Sequence, residues 1–174
     1  MAPPLRIDCG PCVLRPWRRG DEASLIQHAN NREVWSHLRD RFPHPYTEAD
    51  AAWWIGHASG ESEPLNLAIE VDGAAVGSIG LIPGTDIERY SAEVGYWLGQ
   101  ALWGRGIVTA ALNAFCASSF ERFEFIRLFA LPFADNTASC RVLENAGFQR
   151  EGLLRRSAVK DGRVRDQYLY ARLR

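Results

Sequence analysis

The chain has 174 residues, 47% of them hydrophobic and 24% charged, which suits one globular domain with a proper core. A net charge of −1 offers no overall attraction for nucleic acid or an anionic membrane. No apolar run approaches the ~18 residues of a membrane span, and Met1 to Gly10 lacks the hydrophobic centre of a signal peptide, so the cytoplasm is the expected compartment.

Residues 1–10 read as an N-terminal extension to a domain at 11–174. Cys9-Gly10-Pro11-Cys12 has the thioredoxin spelling, but that chemistry wants a buried strand before the motif and a helix directly after it. Val13 to Trp17 reads as extended instead. A zinc site would need two further ligands, and Cys116 and Cys140 fall in predicted helices far along the chain. No metal is expected, and the pair reads as incidental.

A strand at 12–17 is followed by helices at 21–30 and 31–39, and Pro43 and Pro45 then break the chain. Thr47-Glu48-Ala49-Asp50 is a capping box that starts a helix carrying Trp53, Trp54 and Ile55. Leu65, Leu67, Ile69 and Val71 alternate with Asn66, Ala68 and Glu70, and Asp72-Gly73 supplies a hairpin turn into a return strand from Ala74 to Ile82.

The most informative stretch is 92–111. Glu93 to Leu98 is a strand by its β-branched and aromatic content, and alternation places Glu93 on one face with Gly95 and Trp97. The chain then breaks at Gly99, passes Gly104 and Gly106, and turns helical over about 104–121, with Val108, Leu112, Phe115 and Cys116 on one stripe. A strand, a glycine-bearing turn and a helix N-terminus form an anion site, because first-turn N–H groups are unpaired and glycine lets a phosphate approach the backbone. No Walker loop is possible, since Lys160 is the only lysine, and a dinucleotide fingerprint would need a third glycine. The spacing therefore predicts a phosphate-bearing ligand held at 104–109.

A short strand at 125–131 follows, parallel to 92–98 because a helix crosses between them. Asn136 caps a second helix with Val142, Leu143 and Ala146 on its buried stripe, and Gly147 stops it. Strands at 148–156 and 163–171 flank Asp161-Gly162. From Arg141 onward the balance is +5, which is either a solvated face or a steering field for a polyanion. The layout is α/β (α+β), a mixed, mostly antiparallel sheet of six to seven strands with helices on both faces.

Gly95-Tyr96-Trp97-Leu98, Trp103-Gly104-Arg105-Gly106-Ile107-Val108-Thr109 and Asn136 to Phe148, in this order, resemble the GNAT superfamily of acyl-CoA-dependent N-acetyltransferases. The likeness is strongest to its ribosomal-protein N-terminal acetyltransferase (RimJ/RimL-like) branch, and it covers nearly the whole chain. The resemblance implies acetyl-CoA as cosubstrate, attack of a primary amine on its thioester, and no metal. The amine would be a protein N-terminus or a small molecule. Arg105 to Thr109 would bind the diphosphate through N–H groups. The splayed strands 92–98 and 125–131 would admit the pantetheine arm, bonded by main chain of Trp97, Leu98 and Gly99, with Asn136 and Ser139 contacting it near sulfur. Tyr46, Trp53 and Trp54 would line the acceptor end.

The catalytic assignments depart from the wider family. The tyrosine expected seven residues after Asn136 is Leu143, so Ser139 stands as the acid that protonates the thiolate, as a serine does in the closer branch. The glutamate that branch can use ahead of the final hairpin is absent from Arg156-Ser157-Ala158-Val159. Glu93 is then the candidate base, because a carboxylate half-buried beside tryptophan gains basicity. The alternatives are a CoA-binding module without efficient catalysis, and an acyltransferase using another acyl-CoA. Close relatives often pair, so the resemblance also leaves room for a homodimer.

Overall fold

The structure, a computed structural model, describes residues 5–60 and 63–174. Eight strands form one sheet: β1 (Ile7–Asp8), β2 (Val13–Pro16), β3 (Asn66–Val71), β4 (Ala74–Pro83), β5 (Ser91–Leu98), β6 (Arg127–Ala130), β7 (Gln149–Lys160) and β8 (Arg163–Leu173). Their order is β1-β2-β3-β4-β5-β6-β8-β7, and every neighbouring pair is antiparallel except β5 with β6. The helices are α1 (Glu22–Ala29), α2 (Arg32–Ser36), α3 (Glu48–Ala58), α4 (Ile107–Arg122) and α5 (Thr137–Asn145).

The sheet has one strand more than the six or seven expected. The addition is β1, built from residues read as an extension. Gly10, at φ 86°, and Pro11 make a two-residue turn that folds Ile7 and Asp8 back onto Leu14 and Val13. Residues 1–4 of that extension lie outside the described residues.

Two cores flank the sheet. On one face Leu14, Leu67, Ile69, Ile79, Val94 and Leu98 pack against Ile107, Ala111, Leu112 and Phe115 of α4 and Leu143 of α5. On the other, Trp17, Ala68 and Ala75 pack against Leu25 and Ala29 of α1 and Ala51, Ile55 and Ala58 of α3. Helices on both faces explain why β3 is buried on both sides in spite of its alternating sequence: Ala68 fills the α1–α3 face where a polar residue would face water. Glu70, on the other side of that alternation, is 8% exposed and ion-paired with Arg15, whose Nη atoms also donate to both oxygens of Asp21 at 2.8 Å. That cluster ties the start of α1 to β2 and β3, and Arg15 holds the Glu70 carboxyl below its ordinary range.

The capping box at Thr47 forms as read, with Thr47 Oγ1 and the Asp50 carboxylate each taking a backbone N–H. α4 begins at Ile107 rather than near 104. Gly104 and Gly106 sit at φ 75° and 74°, a left-handed conformation that cannot belong to a right-handed helix. In consequence Ile107 and Ala111 join the buried stripe and Val108 is only partly covered.

Candidate active site

The parallel ladder between β5 and β6 lasts three residue pairs, Ser91 with Arg127, Ala92 with Leu128 and Glu93 with Phe129, and then stops. β5 continues to Leu98, still paired with β4 through Leu98 opposite Gly77. Beyond Glu93 the sheet is therefore open on one side of β5. Which amides face that opening follows from the alternation of an antiparallel ladder. The Gly99 N–H donates to the Val76 carbonyl at 2.8 Å, so odd-numbered positions of this strand bond β4. The Tyr90 carbonyl accepts from Ile126 N–H at 2.8 Å, so even-numbered positions face β6. Tyr96 and Leu98 thus turn their main-chain groups into the gap. Of the three residues expected to bond a ligand arm by main chain, only Leu98 has that orientation. Trp97 and Gly99 spend theirs on β4.

The Trp97 indole lies on the α1–α3 face, with its ring centroid 5.5 Å from that of Phe42. Gly99 is glycine for a packing reason: a Cβ there would collide with the imidazole of His28. Trp103 folds the turn back onto the strand end, its Nε1 donating to the Leu98 carbonyl at 2.7 Å. At the far side of the turn the first intrahelical bond of α4 runs from Ala110 N–H to the Gly106 carbonyl at 3.1 Å, so the N–H groups of Ile107, Val108 and Thr109 precede the helical ladder. A Cβ on Gly95, Gly104 or Gly106 would meet no atom within 4 Å. These three glycines border open space that side chains would fill. The Arg105 guanidinium turns away to the Ala101 carbonyl, leaving its main chain on the cradle.

Gap and cradle belong to one cleft of about 1340 Å³, which also contains Glu93, Asn136 and Ser139. Asn136 caps α5, its Oδ1 accepting from Ser139 N–H at 3.2 Å, so capping uses the oxygen and leaves the Nδ2 donors. Ser139 Oγ lies 2.8 Å from the hydroxyl of Tyr96, a residue not singled out from the sequence for chemistry. Burial pushes that phenol well above its ordinary value, against the Ser139 hydrogen bond that pulls it down. Leu143 is fully buried in the core, and the phenol beside Ser139 comes from β5 instead. The signal in the sequence was alternation: Tyr96 shares a face with Val94 and Leu98, the face that α4 and α5 cover.

Glu93 approaches from the opposite face, at the last rung of the parallel ladder. Its carboxylate is ion-paired with Arg39 at 2.5 Å, on the loop after α2. Of the predicted acceptor-side residues, Tyr46 is 6% exposed and packs on Phe42, with burial pushing its phenol up to about 12. Trp54 stacks edge-on against Trp17, whereas Trp53 is 68% exposed and lies parallel to His57 at 5.3 Å. All three line the cleft, but only Trp53 exposes much of its ring, on the side away from His57. The β7–β8 hairpin borders the same end, held to α2 and its loop by Lys160 with Asp40 at 3.0 Å and Arg32 with Asp161 at 2.6 Å. Among the described residues, no group of three or more His, Cys, Asp or Glu side chains is placed to hold a metal, and no helix is long and apolar enough to cross a membrane.

The arrangement suits an extended ligand with phosphates at one end and amides along its length. The comparisons agree. The family model described as Acetyltransferase (GNAT) domain matches residues 12–149. The uncharacterized N-acetyltransferase p20 of Bacillus licheniformis is 30% identical over 168 residues, 93% of this chain and 92% of that one. The ribosomal-protein-serine acetyltransferase of Escherichia coli is 34% identical over 97 residues, 55% of this chain and 54% of its own. The solved structure of Mycobacterium smegmatis RimJ in complex with CoA-disulfide superposes with a TM-score of 0.81 at 30% identity, covering 98% of this chain and 86% of that one. An interrupted parallel pair beside a glycine-capped helix and kinship over nearly the whole length lead to one assignment: the chain belongs to the GNAT family of acetyl-CoA-dependent N-acetyltransferases.

Proposed function

We propose that this enzyme acetylates the α-amino group of a protein N-terminus, with a cytoplasmic, ribosomal-type protein as acceptor. The observation that carries the transfer chemistry is the halted β5–β6 ladder, which turns the Leu98 amide into a cleft between the α4 cradle and the pair Glu93 and Ser139. The choice of acceptor is supported by likeness to the ribosomal-protein-serine acetyltransferase of Escherichia coli.

Acetyl-CoA, when bound, supplies a thioester already activated toward amines. N–H groups from Arg105 to Thr109 hold its diphosphate, with Gly104 and Gly106 making room. The Asn136 Nδ2 donors meet the arm near sulfur, and the Leu98 N–H donates to the thioester carbonyl, where negative charge develops during attack. Glu93 accepts a proton from the acceptor's ammonium once Arg39 has swung aside. Ser139 gives its proton to the departing sulfur. A serine hydroxyl alone is a poor acid, but the 2.8 Å contact between the two hydroxyls can run in either direction, and with the Tyr96 phenol as donor to Ser139 Oγ the Ser139 O–H is polarised toward the leaving group. Trp53 offers its exposed ring to the acceptor's first residues, while Tyr46 and Trp54 shape the wall behind it.

The test is CoA release with a panel of peptides bearing free N-termini, the same peptides N-blocked but carrying lysine, and small polyamines. Turnover confined to free N-termini is the expected result. Turnover on polyamines with none on peptides would overturn the acceptor assignment and leave the family untouched.

A further inference from the structure

The Cys9-Gly10-Pro11-Cys12 motif has no part in acetyl transfer. We propose that Cys9 and Cys12 form a redox-active dithiol, a modification site that reacts with a low-molecular-weight disulfide and closes to an intramolecular cystine. The thioredoxin comparison fails here for want of a following helix, but the hairpin supplies by another route what that helix would. The register Ile7 with Leu14 and Asp8 with Val13 places Cys9 directly opposite Cys12, and the Cys9 N–H donates to the Cys12 carbonyl at 2.9 Å. A hydrogen-bonded antiparallel pair has its Cα atoms about 5.5 Å apart, inside the roughly 4.4–6.8 Å that a disulfide spans. In the reduced hairpin the Cys9 Sγ donates to the Ile7 carbonyl at 3.6 Å, and each thiol shifts the titration of the other.

The two positions are unequal in the way an attacking and a resolving cysteine must be. Cys9 is partly exposed, and the neighbouring Cys12 thiol pulls the Cys9 thiol below the ordinary value, favouring the thiolate. Cys12 is 4% exposed and is pushed up by the same partner and by burial. Cys116 and Cys140 are both buried, and burial pushes both thiols up, Cys116 to about 12. Closing a loop this short constrains little of the unfolded chain, and the Cys9 sulfur stays partly exposed to a reducing thiol, so the bond is suited to reversal rather than to stapling. The site also adjoins the cradle: Cys12 Sγ lies 3.9 Å from the carbonyl of Ile107, the first residue of α4.

The Cys9 thiolate attacks one sulfur of the disulfide R–S–S–R, forming a mixed disulfide and expelling R–S⁻. Cys12 gives up its proton and attacks the Cys9 sulfur, expelling the second R–S⁻. Two protein thiols are oxidised by two electrons, and one disulfide is reduced to two thiols that carry the protons released by Cys9 and Cys12.

The full chain is treated with oxidised glutathione and followed by intact-protein mass spectrometry, alongside Cys12→Ser and Cys9→Ser, with a thermal melt on each to confirm folding. The wild type is expected to lose two hydrogens, with no adduct retained and full recovery in dithiothreitol. Cys12→Ser should trap one glutathione on Cys9, and Cys9→Ser should react at least about ten-fold more slowly. A wild type that stops at the mixed disulfide, or a Cys9→Ser variant that reacts as fast as Cys12→Ser, would overturn the proposal.

Discussion

Gly106 is where the cradle assignment can be tested with strain and charge separated. Its φ is 74°, and a Cβ there would meet no atom within 4 Å. Gly106→Ala therefore adds backbone strain without a clash, on the order of 1–2 kcal/mol for an L-residue held left-handed. In a domain of this size that lowers the melting temperature by roughly 2–8 °C. Gly106→Glu carries the same strain and adds a carboxylate at the first turn of α4. A like charge ~4–6 Å from a bound phosphate costs about 1–4 kcal/mol between surface-like and bulk screening, or about 5- to 1000-fold in Kd. The assay is calorimetric titration of acetyl-CoA into wild type, Gly106→Ala and Gly106→Glu, with a melt of each. Both variants should melt alike, and the glutamate variant should bind at least about ten-fold more weakly than the alanine variant. Equal binding by two folded variants would mean that the phosphates sit elsewhere.

Three further outcomes follow from the cleft and the core. Ser139→Ala and Tyr96→Phe should each lower kcat by about ten- to a hundred-fold, and the double variant should lose no more than the worse single; additive losses would separate the two hydroxyls. Glu93→Gln should lower kcat by about 10²–10⁴-fold, whereas Arg39→Ala should raise kcat/KM for the acceptor by up to about five-fold, since a half-exposed ion pair holds ~0–1 kcal/mol. Equal losses in both variants would place the guanidinium in the chemistry. Stability should fall as pH rises from 9 toward 12: burial holds the Cys116 thiol and the Tyr46 phenol at about 12, against ordinary values of 9.0 and 10.0. In that window the folded chain keeps protons that the unfolded chain has lost, so alkali favours unfolding. Urea melts that do not shift across it would refute this.

What the sequence disclosed about the site was local chemistry. Gly104 and Gly106 mark left-handed turns, Asn136 caps its own helix, and Thr47 with Asp50 closes a capping box, each within a few residues. What it withheld was pairing across the fold. Tyr96 and Ser139 are 43 residues apart, and Arg39 and Glu93 are 54 apart, so neither contact leaves a periodic trace. β1 escaped because two residues are too few to show a period and draw their strand character from the partner across the turn. The orientation of Trp97 was legible from alternation, but the choice among Trp97, Leu98 and Gly99 as main-chain donor required knowing which neighbour β5 pairs with on each side.

The short seam between β5 and β6 has a consequence for the protein's durability. Along the sheet, the five strands from β1 to β5 and the three from β6 to β7 meet only through those three residue pairs. On the proposed binding mode a pantetheine arm lying in the gap would act as a removable strand that joins the two halves, and any ligand bound only by the folded state at a hundred times its Kd adds about 2.7 kcal/mol. Opening of the seam, amide exchange at Tyr96 and Leu98, and proteolytic nicking of β6 should all slow as the cleft fills. That binding mode would tie the lifetime of the enzyme to the supply of its own cosubstrate.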